Sequence, residues 1–179
     1  MKLRELYKKE VKPALKAKFG YANDMAIPRL LKVSVNVGVG RMTKDKGFID
    51  KVVENLERIT GQKPVLTKAK KSIAAFKVRQ GNLSGVMVTL RGERMYDFLD
   101  KLINVSFPRV RDFRGVEDTK LDRLGNLSVG FREQTPFPEV KAEEADNLHG
   151  LEVNIATTAK TREEGLELFR GLGFPFKKA

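Results

Sequence analysis

The chain has 179 residues, no cysteine, a formal net charge of +12 and a pI near 9.9. That length can bury a real core in a single domain, and the missing cysteines exclude disulfides and thiolate metal sites and suit a reducing compartment. No apolar run approaches the ~18 residues of a membrane span and nothing reads as a secretory signal, while a pI this high points to a polyanionic partner, either nucleic acid or an anionic membrane.

Leu3, Leu6, Tyr7, Val11, Leu15 and Phe19 recur at helical spacing, and Pro13 inside that pattern predicts a kink or a second turn beginning at the proline. Leu31, Val33, Val35, Val37 and Val39 then alternate with Lys32, Ser34, Asn36 and Gly38, which is the pattern of a strand with one apolar and one polar face. Phe48, Ile49, Val52, Val53, Leu56 and Ile59 form an amphipathic helix that Gly61 closes. Residues 61–92 carry seven cations, Lys63, Lys68, Lys70, Lys71, Lys77, Arg79 and Arg91, and no acid. Ordinary surfaces mix signs. Within this window Phe76 and Val78 alternate with Lys77 and Arg79, and Val86, Val88 and Leu90 alternate with Met87, Thr89 and Arg91. A loop over 80–85 lies between them, and the pattern predicts a hairpin.

Met95, Phe98, Leu99, Leu102 and Ile103 predict the next helix. The tract 108–125, rich in Arg, Gly and Asp, has no period and reads as an extended loop. Leu127, Val129 and Phe131 predict a short strand, and Leu151, Val153, Ile155 and Thr157 another. Thr161 with Glu164 is a capping box for a last helix, which Gly173 stops. The whole predicts one α+β domain over 1–179. Its mainly antiparallel, curved sheet would have helices packed on one face, with the other, basic polar face open for RNA.

Catalytic signatures fail. Gly38-Val39-Gly40 lacks the third glycine of a dinucleotide-binding turn, since Thr43 stands there. His149 has no motif partner and reads as a surface residue. No carboxylate pair lies in an apolar setting. No catalytic residue, metal ligand or cofactor is expected. Arg109, Arg111 and Arg114 make a second basic cluster, where Phe113 either stacks on a base or tucks into the core. Glu139, Glu143, Glu144 and Asp146 make an acidic patch that could dock a basic protein. An RNA-processing enzyme would need an acid–base or metal set that is missing, and a single-strand RNA binder would need an aromatic pair on the polar sheet face.

The strings Thr60-Gly61-Gln62-Lys63-Pro64, Lys68-Ala69-Lys70-Lys71-Ser72-Ile73, Phe76-Lys77-Val78-Arg79-Gln80-Gly81 and Val88-Thr89-Leu90-Arg91-Gly92-Glu93-Arg94-Met95 resemble the bacterial large-subunit ribosomal protein number five family. So do Pro108-Arg109-Val110-Arg111-Asp112-Phe113-Arg114-Gly115, Arg132-Glu133-Gln134, Phe137-Pro138-Glu139 and the ending Gly173-Phe174-Pro175-Phe176-Lys177. The resemblance implies a cytoplasmic protein, monomeric within the ribosome, that binds 5S ribosomal RNA and large-subunit ribosomal RNA in the central protuberance. It implies 5S contacts at Asn36, Gln62, Thr89 and Arg91, with further phosphate contacts from Lys32, Lys63, Lys68, Lys70, Lys71, Arg109, Arg111 and Arg114. It also implies a hairpin near peptidyl-site transfer RNA (Lys77, Arg79, Gln80, Gly81, Asn82) and gives the acidic patch a small-subunit head protein as partner. The chain departs from the family where Asp-Gly-Arg-Gly-Asn-Tyr is replaced by Asp122-Arg123-Leu124-Gly125-Asn126-Leu127.

Overall fold

The computed structural model describes residues 2–40, 45–76, 78–140 and 148–177. Five strands, β1 (Leu30–Gly38), β2 (Val65–Lys68), β3 (Leu83–Leu90), β4 (Leu127–Phe131) and β5 (Leu151–Thr157), form one sheet in the order β2-β3-β1-β5-β4. The sheet is antiparallel and the class is α+β, as expected. The helical segments are α1 (Leu3–Leu6), α2 (Lys12–Phe19), α3 (Lys46–Thr60), α4 (Gly92–Lys101), α5 (Phe107–Arg109) and α6 (Arg162–Gly171). The chain divides into two compact units, and all four boundaries between them fall inside strands.

The first unit comprises Met1–Val33, Leu90–Val129 and Val153–Ala179. Between α1 and α2 the backbone opens into a π-turn, Tyr7–Val11, where the Lys12 N–H reaches back to the Tyr7 carbonyl. The same device recurs between α4 and α5, where Leu102–Ser106 is a π-turn and the Phe107 N–H reaches Leu102. Each turn ends two residues before a proline, Pro13 or Pro108. A proline ring collides with the carbonyl four residues back and offers no N–H, so widening the preceding turn relieves the collision without ending the helix. The helix that begins at Gly92 thus carries on through π-turn and α5 to Arg109, past the start of the loop expected over 108–125.

α6 has the expected capping box: the Thr161 hydroxyl accepts from the Glu164 N–H, and the Glu164 carboxylate accepts from the Thr161 N–H. Glu164 also accepts from the Tyr21 hydroxyl, which ties the end of α2 to the start of α6. Phe169 packs edge-on against Phe174 with centroids 5.0 Å apart, and Phe107 meets Phe174 in the same way. These rings are buried, and each contributes on the order of 2–3 kcal/mol.

The second unit comprises Ser34–Thr89 and Gly130–Glu152. In α3, Phe48, Ile49, Val52, Leu56 and Ile59 are buried on the one face that the spacing predicts. Asp45 caps its start by accepting from the Phe48 N–H at 3.1 Å, and Gly61 ends it at φ +66°. Here the expected hairpin needs correction. Its first strand is β2, which pairs antiparallel with β3 through Val65↔Met87, Leu66↔Val86 and Thr67↔Gly85. The segment expected as a strand at 76–79 is instead part of the β2–β3 connection, with a 3-10 turn at Ala74–Phe76 and a single bridge, Ile73↔Val78. Phe76 is 75% exposed, so no buried face was available to hold it in a ladder. His149 is likewise not a surface residue: it is buried, and its backbone N–H donates to the buried Gln134 side chain at 2.8 Å.

Candidate nucleic-acid interface

Along β3 the side chains of Val86, Val88 and Leu90 are buried, while Met87 and Thr89 on the opposite face are only half-buried. Along β1, Val35 and Val37 are buried, and Ser34 and Asn36 are half-buried. Gly85 brings the strands close. A Cβ there would lie 2.9 Å from the Val37 carbonyl, 3.1 Å from Thr67 Oγ1 and 3.4 Å from Asn36 Oδ1. Only glycine tolerates such an approach. Its absent side chain leaves the Asn36 amide and the Thr67 hydroxyl converging over β3. Sequence reasoning assigned Gly85 to a loop and missed Thr67. The available signal was a glycine directly before the apolar alternation of Val86, Val88 and Leu90.

Gln62 joins this group from the end of α3. The Thr60 hydroxyl donates to the Leu56 carbonyl at 2.7 Å, and the chain then reverses at Gly61. That reversal aims the Gln62 amide at β3, where Nε2 donates to the Thr89 carbonyl at 3.1 Å. The structure therefore brings Gln62 to Thr89 and Asn36 to Gly85 within the second unit, and it gives Gln62 an internal bond that the sequence did not predict. Arg91 is exposed, in extended conformation at the N-cap of α4 and makes no capping bond there.

The β2–β3 connection, residues 69–82, is a finger closed by its own backbone. Ala69 N–H donates to Asn82 O, Gly81 N–H to Ala69 O, and Ile73 and Val78 exchange both their hydrogen bonds. Ser72 Oγ accepts from the Gln80 N–H. Gly81 has φ +87°, a conformation that suits glycine. The side chains of Lys70, Lys71, Arg79, Gln80 and Asn82 are all exposed. Lys77 lies outside the described residues.

Among the described residues, Lys32, Lys63, Lys68, Lys70, Lys71, Arg79, Arg91, Arg109 and Arg114 make no ion pair, whereas Lys12, Lys16, Lys18 and Arg170 each do. Arg111 only approaches Asp112, at 4.0 Å and fully in solvent. Cations left without carboxylates are the ones free to neutralise phosphates. Phe113 is half-buried and stacks on buried Phe107, with centroids 5.1 Å apart and planes 13° from parallel. Of the acidic patch, Glu139 is half-buried, and Glu143, Glu144 and Asp146 lie outside the described residues. No cluster of metal-ligating side chains occurs among the described residues. No described helix is long and apolar enough to cross a membrane.

Residues 23–79 match the family model described as ribosomal protein L5, and residues 83–176 match the model of the C-terminus of the same ribosomal family. The chain belongs to the ribosomal protein L5 family. It is 54% identical to the large ribosomal subunit protein uL5 of Moorella thermoacetica over 99% of this chain and 98% of the relative. It is 55% identical to the protein of that name from Natranaerobius thermophilus, over 98% of each. Family membership puts the departure at residues 122–127 in a clearer light. Asp122 Oδ1 accepts from the Leu124 and Asn126 N–H groups at 2.9 and 2.8 Å, and Oδ2 accepts from the Asn126 side chain at 2.7 Å. Asn126 Oδ1 in turn accepts from the Thr157 N–H. Asp122, Gly125 and Asn126, which match the expected string, make the turn; of the departing residues, Arg123 and Leu124 are exposed, whereas Leu127, at the expected aromatic position, is buried in β4.

Proposed function

We propose that the chain works as a structural constituent of the large subunit of cytoplasmic ribosomes, one RNA-binding protein along its length that holds folded RNA and catalyses nothing. Asn36, Gln62, Thr89 and Arg91 contact 5S ribosomal RNA. Lys32, Lys63, Lys68, Lys70, Lys71, Arg109, Arg111 and Arg114 neutralise phosphates of 5S and large-subunit ribosomal RNA. The observation that carries this reading is the polar group gathered on β3. Gln62 bonds to the Thr89 carbonyl, and Asn36 and Thr67 converge where Gly85 has no side chain. An amide held by the backbone, as that of Gln62 is, loses little ordering entropy when it meets the sugar and base edges of a folded RNA. Cations of the same unit that make no ion pair, Lys63, Lys68, Lys70 and Lys71, supply sequence-independent attraction.

The finger, with Lys77, Arg79, Gln80, Gly81 and Asn82, serves peptidyl-site transfer RNA. Among the described residues its backbone is closed by internal hydrogen bonds, and the side chains of Arg79, Gln80 and Asn82 are exposed. Glu139, Glu143, Glu144 and Asp146 meet basic small-subunit head proteins across the subunit interface.

A gel-shift titration with 5S RNA tests the central assignment. Asn36→Ala and Arg91→Ala each weaken binding about tenfold, the loss of roughly one polar or charged contact, with unchanged unfolding temperature. Binding equal to wild type in both would overturn the assignment. Lys77→Ala combined with Arg79→Ala leaves 5S affinity intact and slows translation; a fall in 5S affinity would assign the finger to the wrong RNA.

A further inference from the structure

The first unit holds a cavity of about 450 Å³ that none of the proposed RNA contacts uses. Its size lies within the ~300–1,000 Å³ typical of small-ligand clefts. Tyr7 and Tyr96 line it, Leu30 and Met95 give it a buried apolar floor, and Lys8 and Arg29 bring positive charge. The two tyrosines and Arg29 are close enough to influence one another. Burial pushes the Tyr7 hydroxyl up to about 12, Tyr96 adds to that rise, and Arg29 opposes it. Tyr7 is held in place because its hydroxyl donates to the Pro28 carbonyl at 2.9 Å. The Arg29 backbone is held on both sides, its N–H donating to Thr158 Oγ1 and its carbonyl accepting from the Thr158 N–H.

The guanidinium of Arg29 and the ammonium of Lys8 have no hydrogen-bonding or ion-pair partner among the described residues, so a fixed main chain presents unpaired cations beside two aromatic rings. The one acid lining the cavity, Glu93, is already neutralised by Arg4 at 2.6 Å, and so offers little repulsion to an incoming anion. Leu31, which the alternation of β1 assigned to the core, is instead 46% exposed at this cavity, so apolar surface is left open as well.

We propose that this cavity binds an unstacked nucleotide of single-stranded RNA, its base against Tyr7 and Tyr96 and its phosphates on Lys8 and Arg29. Flat apolar rings combined with free cations match the two halves of a nucleotide, the base and the phosphate. An acidic peptide would use the cations and leave the rings idle. The cavity supplies the stacking surface that the polar sheet face lacks.

The chain's fluorescence makes a direct test, because it has three tyrosines and no tryptophan. Tyr21→Phe keeps the ring beside Phe19 and leaves Tyr7 and Tyr96 as the only emitters. In that background, hexameric riboadenylate is expected to quench at least about half of the emission, saturably. An abasic ribose-phosphate hexamer is expected to bind about tenfold more weakly and without quenching, since it lacks the stack. Lys8→Gln with Arg29→Gln weakens the riboadenylate hexamer at least about fivefold, and Tyr96→Leu abolishes the advantage of the base, whereas Tyr96→Phe keeps it. The proposal fails if quenching does not saturate or if the double variant binds as the parent does. It fails equally if the abasic hexamer or a hexaglutamate peptide matches riboadenylate.

Discussion

Two loops of this chain are similar in composition and opposite in design. Residues 122–127 and residues 69–82 both mix glycine, asparagine and charge. In the first, the polar side chains bond to the loop itself and to its neighbours: Asp122 accepts three hydrogen bonds and Asn126 reaches the Thr157 N–H. In the second, the backbone closes the loop and the side chains of Lys70, Lys71 and Arg79 remain in solvent. A loop whose side chains are occupied internally serves the fold, while one that closes through its backbone has side chains to offer a partner. The difference is legible only in where the hydrogen bonds go.

The hardest test of the contrast is Gly165→Ala. A Cβ at Gly165 would lie 2.4 Å from Gly125 Cα and 2.5 Å from its carbonyl, so α6 can approach the 122–127 turn only without a side chain. The substitution is expected to cost about 3 kcal/mol in denaturant unfolding of the purified chain, and a loss under about 1 kcal/mol would mean the turn yields easily. Next, Asp122→Ala should cost about 1–2 kcal/mol by removing the acceptor of three hydrogen bonds.

That second effect depends on pH. Some burial works against the Asp122 charge, yet the Asn126 side chain and the N–H groups of Asn126 and Leu124 hold its carboxyl below the ordinary value. A carboxyl whose pKa is lowered by folding stabilises fully above its unfolded pKa of ~3.9 and loses that contribution as the pH falls further. The stability gap between wild type and Asp122→Ala should therefore be constant from neutral pH down to about 4 and shrink below it. A gap that persists undiminished at pH 2–3 would show that the charge is irrelevant to the turn. The smallest effect on stability belongs to the finger. Lys70→Ala, Lys71→Ala and Arg79→Ala should each move unfolding by less than about 0.5 kcal/mol. Each that meets phosphate should also lower the slope of log affinity against log salt by about 1. A finger variant that unfolds the protein would erase the distinction between the two loops.

What could be read in advance follows the range of the interaction. The ends of α3 and α6 were visible because Gly61 and the Thr161–Glu164 pair act on their own turns. The valines of β1 were visible because one buried face imposes a period of two. At residues 76–79 the same period misled, because nothing covers Phe76, and alternation without burial carries no register. Phe113 was undecidable because its partner, Phe107, belongs to a helix that the apolar pattern did not extend that far. The Gly125–Gly165 approach, Gln62 reaching Thr89, and Asn36 with Thr67 over Gly85 join residues far apart in sequence. Of the 5S group, the residue types were readable from family resemblance, but the bond that orients Gln62 was not.

The two π-turns bear on how the length of this protein can change. A π-turn holds one residue more than the α-turn it replaces, so Tyr7–Val11 and Leu102–Ser106 read as places where the helix has absorbed a single extra residue without shifting the chain on either side. Single-residue gaps between relatives should gather at these two sites ahead of Pro13 and Pro108 and be rare inside α3, which has no such slack and where losing one residue would turn its buried face by ~100°.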